Sequence, residues 1–188
     1  MRVIAGKYRS RRLQSLSGLD LRPTADRLRE TLFDVLTAGN PDVLEGTAWI
    51  DLFAGTGAVG IEALSRGAGM VYFVEQSARA TELIRTNLKT LRITANFRVF
   101  KKNAVGALRE LESSGVKADF VFLDPPYSME KTYRQTLDLL CHSNLLHPES
   151  TVIAEHHKKF DPGEAFAALR RYRKLVQGDA ALSFYHSF

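Results

Sequence analysis

The sequence has only one cysteine and no long apolar run. A single cysteine cannot form an internal disulfide, and Cys141 stands among leucines at helical spacing, which indicates a buried, unreactive thiol rather than a nucleophile. The apolar runs are far shorter than the roughly 20 residues that span a membrane, and the opening Met1–Gly6 segment is too short for a signal peptide. We therefore expect a cytoplasmic protein with no membrane segment.

Acidic residues are missing from the first twelve positions, whereas five basic residues lie there: Arg2, Lys7, Arg9, Arg11 and Arg12. Over all 188 residues the net charge is +5 and the pI is about 9.4. A second basic cluster lies within residues 170–174. Charge alone leaves a solvated surface and a nucleic-acid contact equally open for either cluster.

With 45% hydrophobic and 25% charged residues, the chain has the composition of one globular domain. Residues 1–20 predict a basic arm or short hairpin, because a glycine interrupts their apolar run, and residues 21–38 predict an amphipathic helix. Across residues 48–188, short apolar runs alternate with helical segments, which predicts an α/β fold with a Rossmann-like, mostly parallel sheet. The runs are 49–53, 71–74, 97–100, 120–123, 151–154, 172–176 and 182–186.

The first apolar run ends in a glycine-rich loop. Gly55, Gly57 and Gly60 match G-x-G-x-x-G. Glu75 follows at the end of the second run, where a carboxylate can accept hydrogen bonds from both hydroxyl groups of a ribose. The pattern predicts a nucleoside cofactor, although a dinucleotide or a purely structural turn also fits it. Asp51, just before the loop, favours a ligand with a cationic amino-acid end over a pyrophosphate, which its negative charge would repel.

The tetrapeptide Asp124-Pro125-Pro126-Tyr127 follows the run 120–123 and so lies at the same sheet edge as the glycine loop. Its prolines hold the loop extended and offer no N–H groups, which leaves a stiff loop rich in hydrogen-bond acceptors. The exocyclic amine of a nucleic-acid base is a poor nucleophile, because its lone pair is delocalised into the ring. Asp124 and a proline carbonyl can accept the two amine hydrogens and stabilise the developing positive charge, while Tyr127 stacks on the base. The motif predicts methylation of such an amine from S-adenosylmethionine; a proline-rich turn with Tyr127 as packing is the structural alternative.

His156 and His157 follow the run 151–154 and face the same edge. A structural or solvent role fits this pair better than substrate contact. No cysteine or carboxylate cluster with ligand spacing accompanies them in the sequence, so we expect no metal site.

Four segments together resemble the RsmD family of bacterial 16S rRNA (guanine-N2) methyltransferases, over essentially the whole chain. They are residues 2–6, residues 21–33 with the Arg22-Pro-Thr and Arg29-Glu30 motifs, residues 51–57 and residues 123–127. The resemblance implies a seven-stranded sheet of order 3-2-1-4-5-7-6, S-adenosylmethionine as cofactor, and 16S rRNA or the small ribosomal subunit as partner. We further expect a monomer.

The residue patterns and the resemblance give the expected site. Asp124, Pro125, Pro126 and Tyr127 are the expected catalytic residues, around a flipped guanine. The expected cofactor-binding residues are Asp51, Phe53, Ala54, Gly55, Thr56, Gly57, Glu75, Gln76, Asn103 and Ala104, although Asn103 fits a helix cap equally well. The expected RNA-binding residues are Arg2, Lys7, Arg9, Arg11, Arg12, Arg22, Thr24 and Arg29.

Three alternatives remain open from the sequence. The same tetrapeptide serves adenine N6 in DNA or RNA, but the short chain shows no added target-recognition domain. The glycine pattern leaves a nicotinamide-dependent oxidoreductase open. An RNA-binding assembly factor that has lost catalysis is the third, although the acceptor loop is intact.

Overall fold

The computed structural model describes residues 1–15 and 23–188, without the side chains of residues 23–25. The helices are a 3₁₀ turn at Gly6–Tyr8, α1 Pro23–Thr37, α2 Ala58–Ser65, α3 Ala78–Thr90, α4 Ala104–Ser113 and α5 Glu130–Cys141. The strands are β1 Ala48–Leu52, β2 Met70–Val74, β3 Phe97–Phe100, β4 Phe120–Leu123, β5 Thr151–His157, β6 Ala165–Phe166, β7 Leu169–Gln177 and β8 Ala180–Ser187.

The described strands form one eight-stranded sheet in the order β3-β2-β1-β4-β5-β8-β7-β6. Strands β1 to β5 pair in parallel, and β6, β7 and β8 are joined by antiparallel pairing to β5. The expected α/β fold is confirmed, but the expected count of seven strands is wrong. The additional strand, β6, has two residues, which is too short to produce a hydrophobic period in the sequence. Without β6 the order is the expected 3-2-1-4-5-7-6.

Strand β5 extends past the apolar run 151–154 to His157. Antiparallel pairing with β8 extends the strand beyond this run, since Glu155 pairs with Leu182 and His157 with Ala180. Backbone hydrogen bonds to a neighbouring strand can thus hold polar residues in a strand that hydrophobicity does not reveal. The extension places Glu155 beside the end of β4.

Helices cover both faces of the sheet. One face packs against α1, α2 and α3, where Trp49 stacks between Phe33 and Phe120 at ring distances of 5.4 and 5.3 Å. The other face packs against α4 and α5. Strands covered on both sides need mostly apolar residues, which explains the unbroken apolar run of β4 and the apolar residues on either side of Asp51 in β1.

The first thirteen residues fold back on themselves and lie against α2. Val3 N donates to Arg11 O at 2.9 Å, and Leu13 N donates to Met1 O at 3.1 Å. The buried Glu62 of α2 accepts the backbone N–H groups of Ile4 and Ala5 at 2.7 and 2.9 Å. The N-terminal arm is therefore a docked part of the structure.

The arm has a second attachment, at α3. The buried Asn87 side chain accepts from Gln14 N at 2.8 Å and donates to Gln14 O at 3.1 Å and to Thr56 O at 2.9 Å. Asn87 thus connects the arm to the loop after β1. Within residues 1–15 and 23–188, no helix has the length and apolar character needed to cross a membrane.

Candidate active site

A cavity of about 190 Å³ lies at the carboxyl ends of β1, β4 and β5. Parallel strands end at the same edge, so the loops after β1 and β4 meet there. The residues that line it include Met1, the charged residues Arg29, Asp51, Asp124 and Glu155, and the glycine-loop residues Phe53, Ala54, Gly55 and Thr56. The structure therefore brings the predicted glycine loop and the predicted acceptor carboxylate to one cavity.

The glycine loop turns sharply between β1 and α2. Phe53, Gly55 and Gly57 all have positive φ, at 62°, 54° and 76°. Such angles are strained for Phe53, which has a Cβ, and easy for the glycines. A Cβ on Gly55 would meet only Phe53 O at 3.9 Å, so the loop backbone is open to a ligand there.

Gly60 has a packing role instead of a ligand-binding one. A Cβ at this position would lie 2.4 Å from the Phe73 ring and 3.0 Å from an Asp51 carboxylate oxygen. Only glycine lets α2 pack this closely on the sheet. The third glycine of the motif thus fixes the first turn of the helix behind the cavity.

Asp51 is 1% exposed and accepts the Gly60 backbone N–H through Oδ2 at 2.9 Å. Burial raises its pKa to about 7, against the lowering effect of the Gly60 hydrogen bond, and the negative charges of Asp124 and Glu75 raise it further. A cationic ligand group in the cavity would relieve this repulsion, whereas an anionic one would add to it.

Glu75, directly after β2, accepts hydrogen bonds from backbone N–H groups of the neighbouring loops. Its Oε2 accepts from Gly55 N at 2.9 Å and its Oε1 from Ser77 N at 2.8 Å. Each carboxylate oxygen keeps a second lone pair for a ligand hydroxyl. Glu75 therefore holds the glycine loop in shape and still offers acceptor capacity beside it.

Asn103 caps α4, which is the structural alternative to its predicted contact with the cofactor. Its side chain accepts from Gly106 N at 2.8 Å. The neighbouring Ala104 is buried, and Gln76 is exposed after β2. Their predicted contacts with a cofactor stay predictions.

The acceptor loop after β4 is fixed by hydrogen bonds from within the chain. Pro125 O accepts from the Tyr133 hydroxyl at 3.1 Å, and Pro126 O accepts from Met129 N at 2.8 Å. Each proline carbonyl thus has one lone pair in use and a second available. Burial raises the pKa of Asp124 to about 7, and the Tyr127 side chain is 41% exposed.

Glu155 is the site residue that sequence reasoning missed. It lines the cavity with Asp124, hydrogen-bonds the Tyr127 side chain, and its backbone carbonyl accepts from the Tyr133 hydroxyl at 2.9 Å. Burial, and then the charge of Asp124, raise its pKa well above its ordinary value. A carboxylate one residue past an apolar run was the available signal, the same signal that singles out Glu75.

The five basic residues of the arm, from Arg2 to Arg12, are exposed, next to a cavity that Met1 helps to line. Arg29 differs, because it is 5% exposed and donates to Arg2 O at 2.6 Å and to Asp26 at 3.1 Å. It is thus placed to shape the cavity wall and hold the arm, and a contact with RNA phosphates does not fit this burial. Arg22 and the Thr24 side chain lie outside the described residues.

His156 is fully buried, with Nε2 2.9 Å from Ser183 Oγ, and burial lowers its pKa. His157 is half-buried, with its ring 5.6 Å from the Tyr127 ring in an edge-on contact. His157 therefore touches a predicted site residue, Tyr127. Cys141 is half-buried, less than expected, and burial raises the pKa of its thiol, so it is poorly reactive.

Comparison with known proteins places this geometry in a family. The family model described as Conserved hypothetical protein 95 matches residues 1–186. The "Ribosomal RNA small subunit methyltransferase D" of Escherichia coli is 33% identical over 98% of this chain and 89% of its own length. The protein of the same name from Haemophilus influenzae is 35% identical over 84% of this chain and 79% of its own length. The solved structure of the Escherichia coli protein yhhF is 33% identical, covers 100% of this chain and 97% of that chain, and superposes with a TM-score of 0.81. This chain belongs to the RsmD family, the family that its loops and N-terminal segments resemble.

Proposed function

We propose that this protein transfers a methyl group from S-adenosylmethionine to the exocyclic N2 amine of a guanine in small-subunit rRNA. One observation carries the proposal: the glycine loop and the Asp124 carboxylate face the same cavity. A cofactor loop and an acceptor for an amine, held together, are what an amine methyltransferase needs. The names of the Escherichia coli and Haemophilus influenzae relatives support rRNA as the substrate class.

The residues present fit S-adenosylmethionine better than a nicotinamide dinucleotide. Three carboxyl groups, of Asp51, Asp124 and Glu155, line the cavity, and Arg29 beside them is already paired with Asp26. A pyrophosphate would meet this acidic lining, whereas a cationic amino group and a sulfonium would be attracted to it. Asp51 would hold the amino-acid end and Glu75 the ribose hydroxyls.

When bound, the cofactor supplies an electrophilic methyl group. The chain supplies the acceptors that make the amine a nucleophile. Asp124 and the free lone pair of the Pro125 carbonyl would accept the two amine hydrogens, and Tyr127 would stack on the base at a gain of roughly 1 to 3 kcal/mol. Because the amine gains positive charge as it reacts, these acceptors stabilise the transition state more than the ground state.

The N-terminal arm would contact the RNA backbone. Its exposed basic residues lie on a segment that Glu62 and Asn87 fix to α2 and α3, so the charges are held beside the cavity. Each lysine or arginine that neutralises a phosphate adds to the salt dependence of binding. A flipped guanine would then reach Asp124 while the arm holds its strand.

The experiment is transfer of labelled methyl groups to naked rRNA and to small ribosomal subunits from a strain that lacks this protein, followed by mapping of the modified base. We expect label on the N2 amine of one guanine. We also expect Asp124→Ala to abolish transfer while S-adenosylmethionine binding largely survives. Full activity in Asp124→Ala would refute the acceptor role, and label on adenine N6 would refute the guanine target.

Thermal denaturation distinguishes the two cofactors at low cost. A ligand at 100 times its dissociation constant raises the free energy of unfolding by roughly 2.7 kcal/mol. We expect this protection from S-adenosylmethionine. Protection by NAD without protection by S-adenosylmethionine would favour the oxidoreductase instead.

A further inference from the structure

Glu155 is not one of the groups that the proposed mechanism uses, although it lines the same cavity as Asp124. The register of β4 and β5 pairs Leu123 with Ala154, so Asp124 and Glu155 are the next residues on two neighbouring strands. Neighbouring strands lie about 4.8 Å apart. Both side chains line the cavity, which makes Glu155 the second carboxyl group at the acceptor loop.

Two contacts join Glu155 to that loop. Its side chain accepts a hydrogen bond from the Tyr127 hydroxyl. Its backbone carbonyl shares the hydroxyl of the buried Tyr133 with Pro125 O, at 2.9 and 3.1 Å. The end of β5 therefore holds both the carbonyl and the aromatic ring that the proposed mechanism uses.

The Tyr127 ring is exposed, so a contact at its hydroxyl bears directly on its orientation. The residue is 41% exposed, and its ring makes an edge-on contact with the His157 ring. A ring that stacks on a base must keep its plane, and a misplacement of about 1 Å at a reacting centre costs up to 100-fold in rate. The hydrogen bond that the Tyr127 hydroxyl donates to Glu155 fixes the hydroxyl end of the ring.

We propose that Glu155 is a positioning residue for methyl transfer, whose carboxyl group holds the Tyr127 hydroxyl and so sets the plane of the base against Asp124. This inference rests on the proposed function. Two carboxyl groups side by side in a cavity do not both ionise readily. Burial and the charge of Asp124 raise the pKa of Glu155, which favours the protonated form of Glu155 beside an ionised Asp124.

A protonated carboxyl group at this position has a close mimic in an amide. Glutamine is neutral and offers a carbonyl oxygen to the Tyr127 hydroxyl, whereas alanine offers nothing. The turnover number of Glu155→Gln should stay within about threefold of wild type, and that of Glu155→Ala should fall roughly tenfold or more. The exposed Glu149, in the loop before β5, gives the matched control Glu149→Ala, which should behave as wild type.

The same substitutions in a Tyr127→Phe background test the route of the effect. Without the hydroxyl there is nothing for residue 155 to hold, so the Glu155→Ala and Glu155→Gln forms of this variant should agree within about twofold. The dissociation constant for S-adenosylmethionine, measured by calorimetry, should change less than about threefold throughout. A double-mutant cycle on urea denaturation should show coupling between positions 127 and 155 independently of catalysis.

Several results would overturn the inference. If the effects of Glu155→Ala and Tyr127→Phe on turnover were additive, Glu155 would not act through its hydrogen bond with Tyr127. A Glu155→Gln variant as impaired as Glu155→Ala would mean that the negative charge of Glu155 is required. A loss of cofactor affinity equal to the loss of rate would make Glu155 a cofactor ligand. A wild-type protein that transfers no methyl group in the same assay would instead refute the proposed function itself, and the stability cycle would still decide whether Glu155 holds Tyr127.

Discussion

Asp51 carries a stability cost that its replacement by asparagine should relieve. The side chain is 1% exposed, and burial raises its pKa from 3.8 to about 7. The folded protein therefore favours the protonated form, so the contribution of Asp51 to stability is fully present below about pH 3.8 and is lost as the pH rises to about 7. Asparagine keeps an oxygen for the Gly60 N–H and never ionises.

The size of the effect follows from the shift. Each unit of pKa difference is about 1.4 kcal/mol, so the wild type loses about 1.4 kcal/mol per pH unit between about pH 4 and about pH 7, and about 4 kcal/mol in total. Without cofactor, Asp51→Asn should match the wild type near pH 4 and exceed its free energy of unfolding by up to about 4 kcal/mol near pH 8.

The assay is urea denaturation of both proteins, without ligand, at about pH 4.5, 6 and 8. The exposed Asp34 on α1 gives the control, since Asp34→Asn should change the free energy of unfolding by less than about 0.5 kcal/mol. A difference between Asp51→Asn and wild type that is independent of pH would show that the folded state does not raise this pKa. If Asp51 holds the amino-acid end of the cofactor, the stabilised variant should also bind S-adenosylmethionine more weakly.

Three further predictions concern the acceptor loop and the arm. The methyl-transfer rate at saturating substrates should rise with pH through about 7 and then level off, because the ionised Asp124 carboxylate stabilises the positive charge that develops on the amine better than the neutral acid does; a rate that is flat from about pH 5.5 to 8 would contradict this. Tyr133→Phe should cost roughly 1 to 3 kcal/mol in urea denaturation and lower turnover more than cofactor affinity, because its buried hydroxyl joins the backbone carbonyls of Pro125 and Glu155. Gly6→Ala should cost more than about 2 kcal/mol, because φ is +76° and the new Cβ would lie 1.8 Å from Ser65 O. Gly39→Ala, with φ of +86° and open space around it, should cost only the strain of roughly 1 to 2 kcal/mol, and equal losses at both glycines would show that the arm is not docked as described.

Local motifs made the two loops predictable. The glycines of residues 55–60 and the prolines of residues 125–126 restrict the backbone directly, so their chemistry can be read without knowing what surrounds them. The position after an apolar strand added the rest, because parallel strands end at one edge. The two-residue β6 escaped prediction, since it has no hydrophobic period of its own.

The arm shows where sequence reasoning stopped. Its exposed arginines and lysine were visible as a charge cluster, but their anchors, Glu62 and Asn87, are buried polar side chains on helices far along the chain. Nothing in the spacing of a glutamate on α2 indicates that it accepts two N–H groups from Ile4 and Ala5. Arg29 likewise belongs to a motif, yet its burial moves it from an RNA contact to the cavity wall.

The fold class, the glycine loop and the acceptor tetrapeptide were predictable from the residues alone, because each depends on backbone restrictions and hydrophobic patterns that are local in the chain. Which carboxyl groups share the cavity became visible only in three dimensions. Asp51 and Glu155 lie in two strands and Asp124 directly after a third; burial raises the pKa of all three, and the charge of Asp124 adds to the shifts of Asp51 and Glu155. Electrostatic coupling of this kind depends on distance in space, which strand order and register set and which no run of residues contains.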